Sequence, residues 1–146
     1  VALSSEFTGG TTYNVPMSDN IKNFIHEHRN IYKNIRAVYC PYVEDFVYFT
    51  SSGFKHLLWK SGRGMRTVFE IRERLSSIDS AVLILLRSGT LQEYESSGIE
   101  FLCFIALISD VKYKVVISKT KESKYKFVSV IPKWKTGKRD NKKPSL

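Results

Sequence analysis

His56 stands in the run Phe54-Lys-His-Leu-Leu-Trp-Lys60, directly before the basic, glycine-bearing stretch Lys60-Ser-Gly-Arg-Gly-Met-Arg66. An imidazole titrates near pH ~6.5, so it takes or gives a proton close to neutrality. Lys60 adds an ammonium, and Arg63 and Arg66 add guanidinium forks that match phosphate oxygens in pairs. These groups meet the needs of phosphodiester cleavage in RNA without a metal. The ribose 2′-OH is the nucleophile, and the protein supplies a proton acceptor, a proton donor and positive charge for the phosphorane. DNA lacks that internal hydroxyl, so a cationic site without metal ligands points to RNA. The plainer alternative is a structural histidine beside a solvated basic loop.

A second group of candidates closes the chain. In Lys124-Tyr-Lys-Phe-Val-Ser-Val-Ile-Pro-Lys133 the polar Ser129 interrupts an apolar run, where it can bond a phosphate oxygen. Lys133 and Lys135 follow as phosphate ligands, and Trp134 between them can stack a base. A rival constellation joins Asp110 to Glu122-Ser-Lys124, which resembles the metal-binding core of restriction-type DNA nucleases. That chemistry wants its carboxylate and lysine fixed within a strand, whereas Glu122 falls in an exposed turn. No P-loop, dinucleotide fingerprint, HExxH, GxSxG or zinc-binding Cys and His set is present, and no cofactor is expected. His26 and His28 are two apart on a helix, diverge from each other, and read as solvated residues.

The elements that must carry these groups are legible from periodicity. Ser18 and Asp19 are N-caps, and Ile21, Phe24, Ile25, Ile31, Tyr32 and Ile35 recur at helical spacing, which predicts a helix over 19–36. The runs Phe46–Thr50 and Phe54–Trp59 flank Ser51-Ser-Gly53 and predict a β-hairpin, with His56, Leu58 and Lys60 projecting from one strand face. Thr67 caps the next helix, with Val68, Phe69, Ile71, Leu75 and Ile78 on its buried side and Glu70, Arg72, Glu73 and Arg74 in water. Asp79 caps a further helical segment, Ala81–Arg87, whose all-round apolarity implies deep burial. From Leu91 the period becomes two. Phe101–Ile108, Val111–Ser118 and Tyr125–Ile131 then form an antiparallel meander, with Val111, Tyr113, Val115 and Ile117 opposite Lys112 and Lys114. On the last strand, Tyr125, Phe127 and Ser129 share one face, opposite Val128 and Val130. The expectation is an α+β domain with N-terminal helices on one face of an antiparallel sheet of about four strands.

Composition sets the partners. The 146 residues carry 23 Lys and Arg against 14 Asp and Glu, a net charge of +9. Up to Asp110 the balance is −1, and from Val111 onward it is +10, so the excess lies in the strands and tail and favours a polyanion. With 42% hydrophobic residues, the chain can bury one core. Residues 1–17 read as linker, 18–135 as the domain and 136–146 as a basic flexible tail. Two distant cysteines, Cys40 and Cys103, read as buried small hydrophobes in a reducing, cytoplasmic setting. The apolar runs are too short for a membrane span, so no membrane partner is expected.

The order of motifs resembles the barnase, EndoU, colicin and RelE-like nuclease superfamily, its phage-related and polymorphic-toxin branches above all. The likeness spans roughly 46–135 and rests on Lys55-His-Leu-Leu-Trp-Lys60 and Phe127-Val-Ser-Val-Ile-Pro-Lys133. It implies a toxin-type ribonuclease acting on tRNA or mRNA without metal on an open sheet face, silenced by an antitoxin or immunity protein. It also implies residue roles. His56 would be general acid or base, Lys60 with Arg63 or Arg66 would bind phosphate, and Ser129 with Lys133 would complete the site. A non-catalytic nucleic-acid-binding module is the competing expectation.

Overall fold

Ser18 opens the described part of the chain as a helix cap, its hydroxyl accepting the Ile21 N–H at 3.5 Å. The computed structural model describes residues 18–135, so the expected linker at 1–17 and basic tail at 136–146 lie outside the described residues. Helix α1 (Asp19–Ile35) follows, burying Ile21, Ile25 and Tyr32. It leads into the antiparallel pair β1 (Ala37–Cys40) and β2 (Asp45–Tyr48).

The second half of the expected hairpin is a helix. Thr50 Oγ1 accepts the Gly53 N–H at 3.4 Å and starts α2 (Ser51–Leu58). Phe54, Leu57 and Leu58 are buried at i, i+3 and i+4, the spacing of one helical face. Ser51-Ser-Gly53 is therefore a first helical turn rather than a β-turn, and His56 and Leu58 do not share a face: the first is exposed and the second buried. Gly53 is required by proximity. A Cβ there would stand 2.5 Å from Tyr32 Oη and 2.6 Å from the Phe127 carbonyl oxygen.

A small two-stranded ribbon comes next, β3 (Trp59–Lys60) against β4 (Gly64–Met65), with Gly62 in its tight turn and Gly64 opening β4, both at positive φ. Helices α3 (Val68–Leu75) and α4 (Ile78–Arg87) follow. Ser77 is the α4 cap residue and makes no side-chain cap bond; Asp79 lies inside the first turn. The deep burial expected of α4 holds for one side: Ala81, Ile84 and Leu85 are buried, while Leu86 is exposed.

Strands β5 (Glu93–Ser96), β6 (Glu100–Ile108), β7 (Val111–Lys119) and β8 (Tyr125–Ile131) complete an α+β domain. The sheet has six strands in the order β1-β2-β8-β7-β6-β5, not about four. It is mixed rather than antiparallel, because β2 runs parallel to β8 through Val47↔Tyr125 and Tyr48↔Lys126. The early pair β1–β2 thus joins a sheet made mostly from the end of the chain, which no local period reveals.

One sheet face holds the core: Val38, Cys40, Val47, Leu102, Phe104, Val115, Ile117, Phe127 and Val130 are buried there with the helices. On β8 the alternation slips. Val116 pairs with Ser129 and Ile117 with Phe127, leaving Val128 as the extra residue of a bulge. Phe127 and Val130 consequently both reach the core, which corrects the expected grouping of Phe127 with Ser129 against Val130. Cys40 and Cys103 are free and buried. No helix among the described residues is long and apolar enough to cross a membrane.

Candidate functional site

Helix α3 organises the charged residues, and its start is fixed by a capping box. Thr67 Oγ1 accepts the Glu70 N–H at 3.1 Å, and Glu70 Oε1 accepts the Thr67 N–H at 3.1 Å. That backbone bond, with Lys60 and Arg66 nearby, holds the Glu70 carboxyl below its usual range, against a smaller opposing effect of burial. A depressed carboxylate stabilises the fold above its unfolded pKa and loses that contribution as pH falls through the folded value. Thr67→Ala is expected to lower stability by about 1 kcal/mol. In urea unfolding, the gap between the parent chain and Glu70→Gln, which removes the carboxylate that the Thr67 backbone N–H bonds, should be full at pH 7 and shrink in acid as Glu70 protonates. A gap unchanged down to pH 3 would contradict the coupling of cap and carboxylate.

Three side chains from other segments, Lys60, Ser129 and Lys133, gather along this helix. Lys60 Nζ on β3 pairs with Glu70 Oε2 at 3.5 Å, and Lys133 Nζ, past the end of β8, pairs with Glu73 Oε2 at 2.6 Å. Arg74 Nη1 donates to Ser129 Oγ at 2.9 Å and to the Val130 carbonyl at 3.4 Å. Arg66 lies close enough to Arg74 to disfavour its charge. Burial first, and then Arg66, pull the Arg74 guanidinium down to about 10, partly opposed by Glu70 and Glu73, so it remains a cation at neutral pH. Burial likewise lowers Arg66, opposed by Glu70.

Arg66 is also tied at its base. Its Nε and Nη2 donate to the His56 carbonyl at 3.2 and 3.1 Å, and its backbone N–H donates to the Leu58 carbonyl at 2.8 Å. Four expected site residues, Lys60, Arg66, Ser129 and Lys133, thus come together around α3. His56 contributes its carbonyl to the cluster, and its side chain is exposed on α2 rather than projecting from a strand beside Lys60. Arg63 is exposed in the ribbon turn, and Lys135 is exposed past β8.

No protein-family model, curated protein or solved structure matches the chain.

Three sequence expectations need correction here. Arg74, placed in water by helical periodicity, is the residue the sequence reading missed. Its signal was the oddly polar Ser129 in an apolar strand, which needs a partner. Phe69 and Val68, expected on the buried side of α3, are 65% and 46% exposed. The α3 stripe is narrow, and only Ile71 and Leu75 reach the core. Trp134 is not a free stacking platform. Its backbone N–H donates to the Lys112 carbonyl at 2.8 Å, Lys114 Nζ sits 4.2 Å from its ring centroid, and its indole Nε1 is buried without a partner among the described residues.

The rival carboxylate constellation is dispersed. Asp110 ends the β6–β7 turn and Glu122 lies in the β7–β8 turn, at opposite ends of β7. A strand of that length separates them by roughly 25 Å, too far to share one metal ion.

Proposed function

We propose that the chain is a metal-independent endoribonuclease whose centre is the cationic cluster of Lys60, Arg66, Arg74, Ser129 and Lys133. The observation that carries this reading is the Arg74 guanidinium, partly buried and donating to Ser129 Oγ at 2.9 Å, with the Arg66 cation disfavouring its charge. Holding like charges together costs folding free energy, and a site that takes an anion recovers it. The Lys60–Glu70 and Lys133–Glu73 pairs are partly exposed, and such pairs stabilise by only about 0–1 kcal/mol, so a phosphate can displace either glutamate.

In the proposed reaction the phosphodiester lies against Arg74 and Arg66, which neutralise charge on the in-line phosphorane. Ser129 accepts from Arg74, so its own hydroxyl proton is free to point at a phosphate oxygen. The ribose 2′-OH attacks phosphorus, the bond to the 5′-oxygen breaks, and a 2′,3′-cyclic phosphate remains. The accessible His56 imidazole takes the 2′-OH proton, with Glu73 as the alternative acceptor, and the departing 5′-oxygen is protonated by water. The likeness to toxin-type nucleases puts tRNA or mRNA among the substrates and an antitoxin or immunity protein among the partners.

The test is incubation with total RNA in excess chelator, followed by mapping of cut ends. Cyclic phosphate termini are expected, and His56→Ala set beside Glu73→Gln assigns the proton acceptor. RNA left intact by the parent protein sinks the reading. Cleavage that appears only with added magnesium or manganese also sinks it. A second reading, phosphate binding without cleavage, is favoured by one feature: only the carbonyl of His56 bonds to the cluster.

A further inference from the structure

Phe69 is the most exposed aromatic ring among the described residues, at 65%, on a helix that buries only Ile71 and Leu75. An apolar ring in water forgoes the burial that would otherwise stabilise it, and its neighbours indicate what would cover it. Lys133 Nζ lies 5.8 Å from the ring centroid, and the same ammonium bonds Glu73, one turn further along α3. Glu73 is followed directly by Arg74, the guanidinium on Ser129. The ring thus borders the cationic cluster on its Lys133 side.

Other exposed aromatics lack this setting. Trp59 pairs with Met65 in the ribbon, where alternate residues point to opposite faces, so it lies on the reverse of Lys60. Tyr94 sits between Glu93 and Glu95, whose charge repels phosphate. Tyr39 and Phe46 stack edge to face on each other on the β1–β2 pair.

We propose that Phe69 is the platform on which an unpaired nucleobase stacks when the adjoining phosphate occupies the Arg74–Ser129–Lys133 cluster, so that the site takes single-stranded RNA and rejects duplex. The proposal rests on the ribonuclease reading for its substrate. A paired base has both faces covered by its neighbours in the helix and cannot lie on Phe69 without leaving the stack. Every base has a π-face, so the platform discriminates by strandedness and not by sequence. The interleaving of ring and cation suits a nucleotide, whose flat base and charged phosphate need one of each.

The experiment measures binding apart from cleavage. A 2′-O-methyl oligonucleotide, which has no free 2′-OH to attack, is titrated as a single strand and as a hairpin duplex against the parent chain, Phe69→Ala and Phe69→Trp. Phe69→Ala should weaken single-strand binding roughly tenfold or more, Phe69→Trp should preserve it, and the duplex should bind the parent no better than the single strand binds Phe69→Ala. Thermal melting should be nearly unchanged in both variants, because the ring is not packed in the core. Equal single-strand binding by the parent and Phe69→Ala, or equal binding of single strand and duplex by the parent, overturns the proposal. Absence of binding by the parent overturns it as well. Loss of binding in Phe69→Ala together with no cleavage of ordinary RNA by the parent would remove the ribonuclease reading and leave the stacking site standing.

Discussion

Replacing Arg74 with alanine is expected to slow the proposed RNA cleavage by roughly 100- to 1,000-fold, the loss typical of removing one pre-organised donor to a developing anion. The guanidinium is already aimed: it holds Ser129 Oγ at 2.9 Å and the Val130 carbonyl at 3.4 Å, so no reorganisation is needed when phosphate arrives. Arg74→Lys should recover only part of the rate, because an ammonium on a flexible stem cannot bond Ser129 and a phosphate oxygen as a planar fork does. Arg72→Ala is the matched control. Its guanidinium stacks on the Phe24 ring at 4.8 Å, against α1, and its loss should leave cleavage unchanged. Stability of Arg74→Ala is expected to fall by no more than about 2 kcal/mol, since the lost bonds are partly offset by relief of the repulsion with Arg66. Single-turnover rates on an RNA oligonucleotide, with melting curves alongside, check this. Full activity in Arg74→Ala would place the reacting phosphate elsewhere on the molecule.

The second large effect is on folding, and local propensity gives it the wrong sign. Glycine to alanine inside a helix ordinarily stabilises by about 1 kcal/mol. At Gly53 the added Cβ would meet Tyr32 Oη at 2.5 Å and the Phe127 carbonyl at 2.6 Å. Neither neighbour yields easily. Tyr32 is 2% exposed and donates to the Thr50 carbonyl at 2.7 Å, and Phe127 lies in the centre of the sheet, stacked on Phe49 at 4.6 Å. Gly53→Ala is therefore expected to destabilise by about 2–4 kcal/mol, measured as a lower urea midpoint at unchanged slope. Tyr32→Phe, which removes one of the two obstructing atoms, should cost about 1 kcal/mol by itself. Combined with Gly53→Ala it should cost less than the sum, because the two changes share one contact. An unchanged or raised midpoint in Gly53→Ala would mean that α2 does not lie against β8 as described.

Much of the architecture could be read from short-range signals. Ser18 and the spacing of Ile21, Ile25 and Tyr32 specify α1, and the period of two in 101–131 specifies the three long strands. The Thr67–Glu70 spacing specifies the cap of α3. Each is a pattern that one element imposes on its own residues, so the chain alone reveals it. The gathering of Lys60, Arg66, Ser129 and Lys133 was suggested by residue type, because cations flanking a polar interruption suit a phosphate.

What only the tertiary structure decided are the places where a local pattern was ambiguous or was overridden. Phe54–Trp59 is a short apolar run that suits a strand or a helix, and the contact of Gly53 with Tyr32 and Phe127 goes with the helix. The insertion of β1–β2 beside β8 depends on a parallel pairing between residues far apart in sequence, which leaves no periodic trace. The bulge at Val128 lets both Phe127 and Val130 reach the core, reversing the face assigned by strict alternation. Arg74 and Phe69 exchanged their expected settings, the charged residue partly covered and the aromatic exposed, because the burial of a helical residue is set by what packs against it. Sequence fixes which groups are available for chemistry. Only the packing of α3 on α1 and α2 determines that Arg74 reaches Ser129 on β8 and that Phe69 is left facing water.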